Sequence, residues 1–422
     1  MEEISSRLLL SLADINAFIS LCETSRMHCV YCKGSHEHTS CPLFLRAMSA
    51  VAKVKPKAEY VAESPAPFIG HYGYPHVNVG MLTVPEKKNT RVYDDPTSWV
   101  RQKFAIPDVV GLRRSLVNAR AISHITSSSR QVERVQDIAL ARRPVDVEVT
   151  LKKAPAPALT FNQAAAPFGP QGAVSKAILM SNPSTHTKVD KVVSDSDRPA
   201  ASSMQYLSRA GFDEHYLSRI LSVGVLGVKA NRKLVPTRWS ITATDDTLAK
   251  PLLEEIKTFS TTECQVCIGK YMGNYYFFIF SPLPFSYELF EVYVPGCKND
   301  CLQYSTDYES HFGRKGYAKQ CAGGYYSVRL ALAQYFHKIR RQASVFVLRM
   351  ITDEYTTPLG VWVTREAARQ ALSNKPVVFS TSTLAQEFVQ NIVRKKFGVQ
   401  IESLFKRSKL LGTPQSRLSQ WT

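Results

Sequence analysis

Between Tyr275 and Phe280 the chain reads YYFFIF, its longest purely apolar stretch, and that run sets the terms of the fold. It is far too short to cross a bilayer, which takes roughly 20 apolar residues in a helix. It is followed by the turn-forming SPLPF and then by ELFEVYV, so residues 263–294 read as two β-like runs that need a sheet around them. YYSVRLALAQYFHKIRR (325–341), introduced by Gly323-Gly324, has helical spacing, and SVFVLRMI (344–351) returns to a strand. Hydrophobic residues at 44% and charged residues at 21% are ordinary for a globular chain and exclude wholesale disorder. The expectation is an α+β fold: a two-domain mixed body, with a small N-terminal zinc-binding module and a flexible C-terminal tail.

The remaining segments fill in that outline. Residues 4–21 place Leu8, Leu9, Leu12, Ile15 and Ile19 at helical spacing. GHYGYPHVNVG (70–80) reads as a turn joining short strands, 107–120 as a helix with an arginine-bearing face, and VDVEVTL (145–151) as a strand broken by APAP. The 154–200 stretch reads as surface loop, with VDKVVSD able to form a strand; 201–224 reads as helix. RKLVPTRWSITATDD (232–246) reads as loop, strand and acidic turn before a helix over 247–258. VWVTREAARQALS (361–373) starts as strand and ends as helix, and a last helix covers 383–396. The expected divisions are 1–46, 47–290, 291–402 and a basic tail, 403–422.

Lys and Arg number 53 against 35 Asp and Glu, a formal charge of +18. Such an excess favours polyanions, nucleic acid before membrane surfaces. The opening Met-Glu-Glu lacks the basic start of a secretion signal, so a cytoplasmic, nucleoid-associated protein without membrane partners is expected.

Nine cysteines fall into two groups. In the first, Cys29 and Cys32 form a Cys-x-x-Cys knuckle that lets two thiolates approach one ion, and Cys41 supplies a third. Cys22, His36 and His38 compete for the fourth position. A closed site of this kind holds structural Zn2+ and activates no water. The second group runs from Cys264 to Cys321, and its quartet of Cys264, Cys267, Cys297 and Cys301 is a poorer metal set, because residues three apart on a strand face opposite ways.

The chain ends in Gln415-Ser416-Arg417-Leu418-Ser419-Gln420-Trp421, preceded by Lys406, Arg407 and Lys409. This is the pattern by which peptides dock on sliding clamps: a glutamine enters a polar pocket, and Leu418 and Trp421, three apart, share a helical face. The second aromatic of the fuller motif is replaced by Thr422.

With those residues in view the chain resembles the archaeal Nre family of DNA-repair proteins. The resemblance rests on CVYCKG (29–34), FIGHYGYPHVNVG (68–80), RKLVPTRWSITATDD (232–246), GRKGYAKQCAGGYYSVRLAL (313–332), TTPLGVWVTREAARQAL (356–372) and the segment from Gln415 to Trp421. Together these span nearly the whole chain in order. The resemblance implies a zinc-finger-like N-terminus, two family-specific domains, and DNA-damage repair coupled to the clamp PCNA through the tail. Relatives carry another cysteine between the positions of Cys32 and Cys41, an interval that here holds His36 and His38.

Two readings of the body follow. In the first it binds DNA without catalysis: Arg113, Arg114 and Arg120 on one helix, Lys229, Arg232, Lys233 and Arg238 in one loop, and Lys338, Arg340 and Arg341 at a helix end contact phosphates, while Trp239, Tyr325 and Tyr326 stack on unpaired bases and Arg329 meets a phosphate at a helix start. In the second it is a metal-dependent nuclease or other nucleotide-processing enzyme using Asp245 and Asp246, with Asp195, Asp197, Glu288 and Glu291 as further carboxylates. No P-loop occurs, and no reaction is assigned.

Overall fold

The computed structural model describes residues 57–411, except 86, 157, 162, 163 and 295–301. The 1–46 segment, with Cys22, Cys29, Cys32, His36, His38 and Cys41, and the Gln415–Trp421 motif lie outside the described residues, as do Cys297 and Cys301.

Strands β1 (Glu59–Ile69), β2 (His76–Pro85), β3 (Val117–His124), β4 (Val145–Leu151) and β5 (Gln171–Leu179) close into a barrel in the order β1-β2-β3-β5-β4. All neighbours are antiparallel except β3 and β5. Along β4, Val145, Val147, Val149 and Leu151 are buried and alternate with half-buried Asp146, Glu148 and Thr150, the period-2 signature of a strand with one face in a core.

The second sheet has the order β11-β6-β7-β10-β8-β9, built from β6 (Gln265–Tyr271), β7 (Asn274–Ser281), β8 (Ser286–Tyr293), β9 (Tyr304–Glu309), β10 (Ser344–Ile351) and β11 (Val377–Val378). It explains the apolar run. Tyr276, Phe278 and Phe280 enter a large core shared with the barrel, while Tyr275, Phe277 and Ile279 enter a second core under the Ser382–Phe397 helix. A strand covered on both faces needs no polar side, which is why the sequence there does not alternate. The sheet takes strands from both sides of residue 290, and the larger core runs without a break from the barrel to the Ala322–Ile339 and Val361–Ser373 helices. Gly269 lets the Val361–Ser373 helix close on β6: a Cβ there would lie 2.5 Å from the Cα of Ala371.

Several local expectations are corrected. Residues 232–246 hold no strand; Thr237–Ile256 is one helix that carries Asp245 and Asp246 in its middle. Residues 201–224 form two helices, Ala200–Arg209 and Glu214–Ser222, broken at Gly211, whose φ of +94° favours glycine. VDKVVS is helical (Thr187–Ser194), and Val361–Ser373 is helix throughout. The 107–120 stretch is a helix (Ile106–Arg113) followed by β3, so Arg120 stands on a strand and not with Arg113. Among the described residues, no helix is long and apolar enough to cross a membrane.

Candidate nucleic-acid interface

The Thr237–Ile256 helix gathers the stretches singled out in the sequence. At its start Thr237 Oγ1 accepts from the backbone N–H of Ile69 at 2.9 Å, tying it to the end of β1. Arg238 lies 3.0 Å from Nε2 of His71. Because a guanidinium only donates, Nε2 must be the acceptor and the imidazole neutral, protonated at Nδ1. Burial lowers the His71 pKa from 6.5 to about 4, and the adjacent Arg238 charge adds to the effect. His71 in turn packs on Tyr72, whose ring is 78% exposed. Trp239 is half-buried against Tyr74, with ring centroids 5.2 Å apart.

Further along the helix the two aspartates diverge. Asp245 is fully buried, and both of its oxygens accept from Nη2 of Arg365 at 2.7 Å. Arg365 and Arg369 also reach Glu214, at 3.4 and 2.8 Å. Burial pushes the Glu214 carboxyl up, yet Arg365, Arg369 and His215 together hold it below the usual carboxylate range. Asp246 pairs with Arg329 and with Lys250, and Arg329 continues to Glu309 at 2.8 Å. Adjacent residues on a helix point about 100° apart, so two neighbouring carboxylates serve two different helices.

This geometry places the predicted site residues in two groups. Tyr325, Tyr326 and Arg329 belong to the core, at 0%, 4% and 5% exposure, and present no face to a base or phosphate. Arg113 is also internal, donating to Asp94 and to the carbonyls of Tyr93, Ala166 and Pro167. Arg232 is turned onto the carbonyls of Gly227 and Asp195. Asp245 and Asp246 stand in ion pairs, and among the described residues no group of three His, Cys, Asp or Glu side chains is placed to hold a metal ion. Asp195 caps a turn, Glu291 pairs with Arg349, and Glu288 accepts from Ser408 and from the backbone of Lys409 and Leu410. Cys264 and Cys267 enter different cores, on opposite faces of the sheet. What remains at the surface is exposed Lys229 and half-buried Arg114, Arg120, Lys233 and Arg238, with Lys338, Arg340 and Arg341 exposed at the end of the Ala322–Ile339 helix.

Sequence reasoning missed His71 as the partner of Arg238, and Tyr72 packed on it. The only local signal is an aromatic-rich turn, and the partner lies 167 residues away. Their coupling predicts a pH effect. A folded pKa depressed below that of the unfolded chain means that His71 contributes its full stability above about 6.5 and loses it as pH falls toward about 4. His71→Gln keeps an acceptor for Arg238 but cannot titrate. The stability difference between wild type and this variant should shrink through that window, by on the order of 1 kcal/mol, because partial solvent access screens the site. Denaturant midpoints measured from pH 8 to pH 4.5 check this, and a constant difference would refute it.

Several of the stretches on which the family resemblance rests meet at the Thr237–Ile256 helix, and comparison with family models agrees with the resemblance. Residues 36–298 match the model described as archaeal Nre, N-terminal, and residues 309–421 match archaeal Nre, C-terminal. The chain belongs to the archaeal Nre family. DNA repair protein NreB of Archaeoglobus fulgidus is 36% identical, over 91% of this chain and 98% of its own length. DNA repair protein NreA of Haloferax volcanii is 33% identical, over 75% of this chain and 78% of its own, and NreA of A. fulgidus 32%, over 84% and 91%. No solved structure matches the chain.

Proposed function

We propose that this protein is a DNA-repair factor that binds DNA through its basic surface and is recruited to the replication sliding clamp, PCNA, by the Gln415–Trp421 motif. The observation that carries the DNA-binding part is where the acids go. Asp94, Glu214, Asp245, Asp246, Glu291, Glu309 and Glu366 are all tied to arginines, and three of them, Asp245, Glu291 and Glu309, are buried. Those pairs cancel internally, so the excess of +18 is carried by the cations left outside. A surface of that kind tracks phosphates without reading bases. The names of the curated relatives supply the repair context. The donor set of Cys29, Cys32 and Cys41, with Cys22, His36 or His38 as the fourth ligand, has the chemistry of a structural zinc site, and we assign Zn2+ to it.

The test is the salt dependence of binding to a duplex of arbitrary sequence. The full-length protein should bind at low salt, with log K falling linearly in log salt. Lys229→Ala with Lys233→Ala should flatten that slope by about 2 and weaken all sequences alike. An unchanged slope removes this loop from the interface, and no binding even at low salt overturns the DNA-binding reading.

A further inference from the structure

A phenylalanine is held in water at the turn after β9. Phe312 is 92% exposed, the most exposed large apolar residue among those described. The turn that carries it is tightly built. Gly313 donates its N–H to the Ser310 carbonyl at 2.9 Å, and the Phe312 N–H reaches Ser310 Oγ at 3.3 Å. Arg314 then donates to the carbonyls of Tyr308, Gly316 and Tyr317 at 2.8–3.1 Å and meets Asp307 at 3.2 Å. Asp307 also accepts from the backbone N–H groups of Lys319, Gln320 and Cys321. A loop pinned at this many points does not fold its ring inward, so the exposure is built in. Folding gains nothing from a phenyl ring left in water; a partner does.

Ser310 and Gly313, on either side of Phe312 in the chain, line a cleft of about 350 Å³ whose walls also include Tyr308, Arg314, Lys315 and Lys409. Three carboxylates also line it, and each is already engaged. Glu288 accepts from Ser408 Oγ at 2.6 Å and from the Lys409 N–H at 3.0 Å; Glu309 holds Arg329; Asp307 serves the loop itself. Lys315 and Lys319 are exposed, and Lys409 lies with Nζ 5.2 Å from the Tyr308 ring centre. None of the three has an ion-pair partner among the described residues. With the charge of Glu288 set against one of these lysines, the free charge of this surface is still positive, next to an aromatic face that none of the described residues covers.

That combination selects its ligand. In a duplex the base faces are covered by their neighbours, and a projecting ring finds only edges. In a single strand each base offers a face to stack on, flanked by phosphates. A cleft of this size suits one nucleotide. We propose that the β9 turn is a contact site for unpaired nucleic-acid strand, with Phe312 stacking on a base and Lys315, Lys319 and Lys409 meeting the flanking phosphates. The site rests on the DNA-binding reading above and narrows it to a strand type. It also lies at the root of the clamp-docking segment: the carboxylate of Glu288 anchors Lys409 and Leu410, just before the chain runs on toward Gln415.

Fluorescence anisotropy of the full-length protein with a labelled oligothymidylate, and with a duplex of the same length, tests the proposal. Phe312→Ala should weaken single-strand binding about tenfold, the size of one lost stacking contact, while Phe312→Trp retains it and duplex affinity stays within about twofold for both. Lys315→Ala with Lys319→Ala should flatten the salt slope on the single strand. At 92% exposure Phe312 is no part of the core, so loss of folding does not confuse the result. Unchanged single-strand binding in Phe312→Ala, or an equal loss on both DNAs, overturns the strand site. If the wild type then still binds duplex, the broader DNA-binding reading stands; if it binds neither at low salt, both fall.

Discussion

Arg365→Ala is expected to lower the unfolding free energy by about 3–5 kcal/mol, the largest stability effect of any single charged residue described above. Arg365 is 1% exposed and Asp245 0%, so truncation leaves a carboxylate in the core without the arginine that hydrogen-bonds both of its oxygens. Burial already pushes the Asp245 carboxyl up, Arg365 pulls it down, and nearby Glu214 adds a further upward push. Without Arg365 only the weaker pull of Arg369 opposes the upward pushes. Asp245 then takes up a proton on folding, and the deficit of the variant narrows as pH falls, because its folded pKa lies above the unfolded one. Urea unfolding with an unchanged m-value measures the loss. Replacing both partners by apolar residues, Arg365→Met with Asp245→Leu, should recover most of it, since no charge is then left unpaired. A loss below about 1 kcal/mol in Arg365→Ala would mean that water reaches Asp245, contrary to the packing described here.

The same pair shows where reading the sequence fails. Asp245-Asp246 after a β-branched stretch looks like two carboxylates on a turn at the end of a strand. Thr242 and Thr244 do favour strands locally, yet both are buried in a helix that packs against three others, and that packing outweighs propensity. The ion partners, 120 and 83 residues away, leave no local trace. Tyr325, Tyr326 and Arg329 failed for a related reason: aromatics and a cation beside two glycines fit stacking on nucleic acid, and they fit a crowded helix start equally well. Gly324 decides between the two, because a Cβ there would stand 2.8 Å from Glu291 Oε1, so the helix is pressed onto the sheet. By contrast the 325–341 helix and the 275–280 and 344–351 strands were legible, because their signal is the period of the chain itself. Of the proposed interface, Lys229, Lys233 and Arg238 were named from their spacing in the sequence. His71, Tyr72 and Phe312 could not, because exposure and distant pairing are properties of the assembled chain.

Deletion of residues 415–422 should abolish binding to the sliding clamp and leave the fold and DNA affinity as they were. The segment lies beyond Ser408, Lys409 and Leu410, which Glu288 of β8 holds, so its removal leaves those contacts in place. Gln415, Leu418 and Trp421 have the spacing for a polar pocket and a shared apolar one, with Trp421 as the main anchor. Calorimetry with the full chain is expected to give micromolar or tighter binding, about 8 kcal/mol or more, and none for the deletion. Leu418→Ala with Trp421→Ala should reproduce the loss without shortening the chain. Recruitment of this strength suits a body whose own hold on DNA is electrostatic and weakens with salt, because tethering raises its local concentration without a tight intrinsic contact. Equal binding by the full chain and the deletion, or binding by neither, would remove the tail from the mechanism and leave the basic surface as the sole route to DNA.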